Sequence, residues 1–124
     1  MSRPHFILPA DAAGEFFTPE RCHITELFNE PASPGASVAR ARVEPGVTTQ
    51  LHALTEIREV YVIEAGEGTV EVAGVTAPVG PGDRVDIPAG ATQRITNTGA
   101  EDLIFLCLCT PRFVPEAYRT LDSD

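Results

Sequence analysis

The chain contains no lysine and no tryptophan, and its nine basic residues are all arginine. Against 18 acidic residues they leave a formal net charge of −9. A surface of that sign repels phosphate backbones and anionic headgroups, so nucleic acid and membrane surfaces are set aside as partners. No long apolar run is present. The longest, residues 103–109, is too short to span a bilayer as a helix. The first residues, MSRPHFILPA, carry one Arg and an apolar patch broken by two prolines, unlike a secretion signal. A cytoplasmic address is expected. Cysteines are few and odd in number, which argues against a disulfide scaffold. Cys107 and Cys109 are two apart and would share one strand face, a geometry unsuited to a mutual bridge. They are read as free thiols acting as small hydrophobes, as is Cys22. No internal repeat, low-complexity segment or long helical period appears. A self-contained transcription factor is excluded, because no DNA-binding helix pair can be placed.

What is present is turn chemistry and alternation. Ten glycines and eleven prolines punctuate 124 residues, a length that fits one domain with one core. Residues 36–44, ASVARARVE, alternate cleanly, with Ala39, Ala41 and Val43 on one face and the arginines in solvent. Residues 22–28 are read as a strand. Further strands are expected at 48–54, 59–64, 69–73, 75–79, 84–87, 93–97 and 103–109, the last buried on both faces. Pro115 suits the first turn of a short helix over 116–121, and residues 122–124 are expected to fray. Residues 1–21 are irregular but apolar at Phe6, Ile7, Leu8, Phe16 and Phe17. They are expected to cover a sheet edge in this subunit or a neighbour's. The organisation is thus an arm and edge strand over 1–35, a β-barrel over 36–110 and a tail over 111–124. Turn signals at intervals of about eight to twelve residues indicate an all-β sandwich or barrel.

Two stretches carry the chemistry: residues 46–66, GVTTQLHALTEIREVYVIEAG, and residues 82–97, GDRVDIPAGATQRITN. By the two-residue period, Gln50, His52 and Leu54 share one face, and Tyr61 shares a face with Glu59. An acid and an imidazole directed into one apolar cavity are costly unless partnered, which favours a binding site over bare structure. Structural readings stand beside that one. His52 could be a hydrogen-bonded core group, Glu59 could pair with an Arg, and Gln93 could satisfy a backbone amide.

These stretches resemble the cupin superfamily, the small jelly-roll or double-stranded β-helix proteins. The first cupin motif sets a Gly, a His pair, a Glu and a Gly at spacings met here by Gly46, His52, Leu54, Glu59 and Gly66. The second sets a Gly, Pro, Gly, His and Asn at spacings met by Gly82, Pro88, Gly90, Gln93 and Asn97. The resemblance implies an all-β, single-domain cupin jelly-roll barrel, to which the short C-terminal helical segment read from Pro115 is added. The family's usual metal set is three His and one Glu. Carried over, His52 and Glu59 match, Leu54 replaces the second His and Gln93 the third. Leu cannot ligate, whereas Gln can through its amide oxygen. The implied metal site is therefore His52, Glu59 and Gln93, holding a divalent Zn, Fe, Ni or Mn. Gln50, Leu54 and Tyr61 would form the pocket, with Gln50 able to add an oxygen. The implied functions are a metal-dependent enzyme of dioxygenase or isomerase type, or a non-catalytic module whose degenerate metal site holds a small molecule. Without metal, Glu59 and His52 could still act as an acid–base pair. His5 and His23 lie outside the motifs. The apolar arm, together with the many dimeric cupins, implies a homodimer.

Overall fold

The computed structural model describes residues 3–9 and 14–121; the expectation for 122–124 falls outside them. The described residues form eleven strands and one short 3-10 turn. In chain order these are β1 (Glu15–Phe17), β2 (His23–Phe28), β3 (Ser37–Val43), β4 (His52–Leu54), β5 (Arg58–Ala65) and β6 (Gly68–Val72). There follow β7 (Val75–Val79), β8 (Arg84–Ile87), β9 (Gln93–Asn97), β10 (Leu103–Thr110), the turn Pro115–Ala117 and β11 (Tyr118–Thr120). No described helix is long and apolar enough to cross a membrane.

The strands make two antiparallel sheets. One runs β1-β2-β3-β10-β5-β8 and the other β11-β4-β9-β6-β7. Alternation sets their inner faces. Ala41 and Val43 of β3, Ile63 of β5 and Phe105 of β10 point at Val70 of β6 and Ile95 of β9, and these form one buried cluster. The strand starts and ends expected from the sequence fall within a few residues of those observed, β6 to β9 most closely.

Gly66 shows why the turns need glycine. Its φ is +87°, and a Cβ there would lie 2.6 Å from the Asp102 carbonyl oxygen. Any side chain would combine left-handed strain with a backbone clash.

Four expectations need correction. Residues 118–120 are a strand, not helix, because Tyr118 pairs with Leu54 and Thr120 with His52, closing an otherwise open edge. The arm is not wholly irregular: Glu15–Phe17 adds a strand beside β2. β10 is not buried on both faces, since Leu106 and Leu108 point away from the second sheet and Leu108 is 38% exposed. The arginines of β3 are not simply solvated. Arg42 donates to Glu15 and Asp102, and Arg40 pairs with Glu64.

The strand expected over 48–54 is shorter than that. Thr48 bridges Thr96, but His52 pairs with Gln93, so the pairing offset changes by one residue between them. A one-residue change of register reverses which face a side chain takes. Gln50 lies in the irregular stretch, with its N–H bonded to the Glu20 carbonyl.

Candidate functional site

β4 and β9 bring His52 beside Gln93 across one sheet, and β5 carries Glu59 and Tyr61 on the other. A cavity of about 140 Å3 opens between the sheets, with His52, Leu54 and Glu59 in its wall. Cys107 and Cys109 of β10 also line it, as their shared strand face requires. Leu54 and Cys109 of its wall belong to the second apolar cluster, with Ile57 and Ala117. The volume is close to the ~150 Å3 of a cavity that accepts benzene.

Glu59 is 7% exposed. One carboxyl oxygen, Oε2, lies 3.7 Å from the Cys109 thiol, a weak donor. The other, Oε1, is buried with no hydrogen-bond partner. Burial pushes this carboxyl up to about 7, against the pull of the Gln93 amide and the two thiols. At neutral pH both its protonation states are therefore populated. The same burial pushes the Cys107 and Cys109 thiols up, so they stay protonated and inert. The three cysteines are free, as expected.

His52 Nδ1 lies 2.8 Å from the Gln50 carbonyl oxygen. A carbonyl only accepts, so Nδ1 carries the proton and Nε2 is the acceptor of the neutral ring. The ring stacks on Tyr118, with centroids 4.6 Å apart and planes 15° from parallel. Tyr118 is held in turn by its hydroxyl, which donates to Gln50 Oε1 at 2.7 Å. Glu20 Oε2 stands 3.9 Å from His52 Nδ1.

The remaining candidates sit at one remove from the cavity. Gln93 is 1% exposed, and its Oε1 accepts a hydrogen bond from the Tyr61 hydroxyl. The amide oxygen that stands where the family motif has its third His thus already accepts one hydrogen bond. Tyr61 is buried against Phe105 and Gln93 rather than set in the wall, and Gln50 steadies His52 and Tyr118 from behind. Outside the motifs, His23 bonds Glu44 on the outer face, and His5 packs edge-on to Phe6. Among the described residues, no three His, Cys, Asp or Glu side chains converge closely enough to hold a metal ion.

Sequence reasoning missed Glu20, Glu26, Phe16, Phe113 and Tyr118, all of which line the cavity. Glu26 had a signal, because strand alternation along residues 22–28 puts it on the face of Ile24. Phe16, Glu20 and Tyr118 had none, since each belongs to a segment read as irregular or helical.

The cupin domain family matches residues 39–109, more than half of the chain. The chain is a cupin. This cupin is similar to an oxalate-binding protein of Thermotoga maritima, 36% identical over 70 residues, which are 56% of this chain and 58% of that protein. The matched stretch therefore spans less than two thirds of the relative. Among solved structures it is similar to the Streptomyces nucleoside dehydratase Pac13, with TM-score 0.77, 17% identity, and coverage of 94% of this chain and 92% of that one. It is also similar to a predicted oxalate decarboxylase of Thermotoga maritima, with TM-score 0.74, 24% identity, and coverage of 84% and 99%. At such identities the structural likeness shows the fold alone.

Proposed function

We propose that this cupin binds one small organic molecule in the barrel cavity and handles it by hydrogen bonding and proton transfer through Glu59 and His52. One observation carries the reading: a buried carboxyl in the cavity wall with an oxygen that no protein group satisfies. A buried polar group left unpaired costs free energy, and folds keep such groups where a ligand completes them. A carboxyl raised to about 7 can give a proton or take one at neutral pH. Beside it, the protonated Nδ1 of His52 leaves Nε2 to accept. The names of the relatives, an oxalate-binding protein and a nucleoside dehydratase, support small-molecule handling on this fold.

The proposed site works without the family's usual metal. Leu54 is buried and cannot ligate, and Gln93 stands behind the cavity lining with one lone pair of its oxygen taken by Tyr61. His52 and Glu59 are left as the protein donors, too few for a tightly held first-row ion. The alternative of a metal held by His52, Glu59 and Gln93 would use the second lone pair of the Gln93 oxygen, beside its hydrogen bond from Tyr61.

Millimolar benzyl alcohol, a neutral probe of one ring, should perturb the backbone amides of His52, Glu59 and Cys109 in NMR spectra. Leu54→Phe, which fills the space, should abolish the effect. No perturbation of those amides in the wild type would reject the reading. Elemental analysis should find well under one equivalent of transition metal, and a stoichiometric ion would overturn the metal-independent part.

We further propose that the chain pairs with a second copy. Phe6, Leu8 and Phe17 remain exposed by half or more, and Val62 and Leu108 add to the outer face of the larger sheet. Sedimentation at micromolar concentration should show a dimer, and a clean 13.3 kDa species would exclude it.

A further inference from the structure

The wall of the cavity is uneven in what it offers by hydrogen bonding. Its hydroxyl and ring N–H donors are spent within the protein. The Thr18 hydroxyl donates to the Cys22 carbonyl, the Tyr118 hydroxyl to Gln50 Oε1, and His52 Nδ1 to the Gln50 carbonyl. Ser37 takes the N–H of Phe113 and bonds the Cys109 thiol with its own hydroxyl. The thiols of Cys107 and Cys109 also face the space, and a thiol is a weak donor. Acceptors, in contrast, are left open. Glu59 is 7% exposed, and its Oε1 meets no donor. His52 Nε2 is the acceptor of its neutral ring. Beside these groups, Phe16, Ile24, Leu54 and Phe113 give apolar and aromatic surface.

We propose that the cavity takes a neutral molecule of one ring bearing an O–H or N–H donor, of the phenol or aniline class, with the donor bonded to the Glu59 carboxyl. This rests on the reading that the cavity binds a small molecule, and adds the class. Volume decides the body, since about 140 Å3 is room for a single ring. The open acceptor decides the substituent. A purely apolar cavity of this size takes benzene, and a phenol placed in one loses the water bonds of its hydroxyl without return. Here the hydroxyl exchanges water for a carboxyl that folding has already stripped of its own. A bond to a charged acceptor is also worth more than one between neutral groups. The order of affinity should therefore be the reverse of that in a hydrocarbon pocket.

Phenol, toluene and fluorobenzene are uncharged single rings with one small substituent, and only phenol donates. They are titrated into the full chain above the value of about 7 at which Glu59 ionises. The backbone amides of His52, Glu59 and Cys109 report binding in NMR spectra. Phenol should bind at least about tenfold tighter than either of the others, a difference of roughly 1.4 kcal/mol. Glu59→Leu removes the acceptor and keeps the bulk. In that variant phenol should lose its lead, and toluene should bind as tightly or more tightly. The toluene titration of the variant also shows whether its cavity has formed, and the wild-type order tests the proposal without it. Fluorobenzene matching phenol in the wild type would overturn the proposal, as would a phenol lead that survives in Glu59→Leu. If toluene binds and phenol is no tighter, the donor inference fails while the cavity reading stands. If none of the three perturbs those amides, both fail.

Discussion

Glu59→Gln should make the protein more stable than the wild type above pH 7, by about 3 kcal/mol, and no more stable below pH 4.5. The direction follows from linkage. The folded carboxyl is raised from 4.5 to about 7, chiefly by burial. Between those two values the unfolded chain has lost this proton while the folded chain keeps it. Wild-type stability therefore falls as pH rises through that window, and the full penalty is present above it. Below 4.5 both states are protonated and the penalty vanishes. Gln keeps the shape and never ionises, so it escapes the penalty. Glu59 is almost wholly buried, so solvent does little to screen the effect. Urea unfolding of both proteins on either side of the window checks this. An equal margin at both pH values would show that burial does not hold the Glu59 proton. A group kept at such a cost to folding fits a functional role, because sites often retain what stability would discard.

Asn97→Ala should cost about 3–4 kcal/mol, a large part of the 5–15 kcal/mol that holds a typical domain. Asn97 is 1% exposed. Its side-chain amide donates to the Val43 carbonyl at 2.9 Å and to the Glu101 carbonyl at 2.7 Å, and its oxygen accepts from the Gly99 N–H at 2.9 Å. Its own backbone carbonyl takes the N–H of Gly46. The last residue of the second motif thus clasps the first residue of the first motif, the end of β3 and the loop before β10. Alanine would strand three backbone groups at about 1 kcal/mol or more each. A denaturant midpoint that moves by less than about 1 kcal/mol of stability would mean that water replaces the amide at little loss. The cavity lies toward the other end of β9, where His52 pairs with Gln93, so benzyl alcohol should still bind to whatever fraction folds.

Both residues belong to the motifs read from the sequence, yet their work differs. Most motif positions are architecture. Gly66 allows the backbone to approach Asp102, and Asn97 ties strand ends together. These roles are local or repeat with the strand period, so spacing alone exposes them. The same is true of Ala41 and Val43, of Ile63, and of the paired thiols on β10, whose inward face follows from a period of two.

What the sequence by itself determined is the all-β barrel, the strands from β5 to β10, and the placing of His52, Leu54 and Glu59 on one cavity. Alternation and turn residues are properties of near neighbours, and they survive without knowledge of the rest of the chain. What only the tertiary structure decided is the chemistry of that cavity. A one-residue change of pairing offset between Thr48 and His52 takes Gln50 out of the strand. Packing against Tyr61 fixes which way the Gln93 amide turns. Glu20 and Glu26 reach the same space from the segment before the barrel, and Tyr118 from the segment after it. The walls and the unpartnered oxygen of the site are sums over segments far apart in sequence, and no local pattern records such a sum.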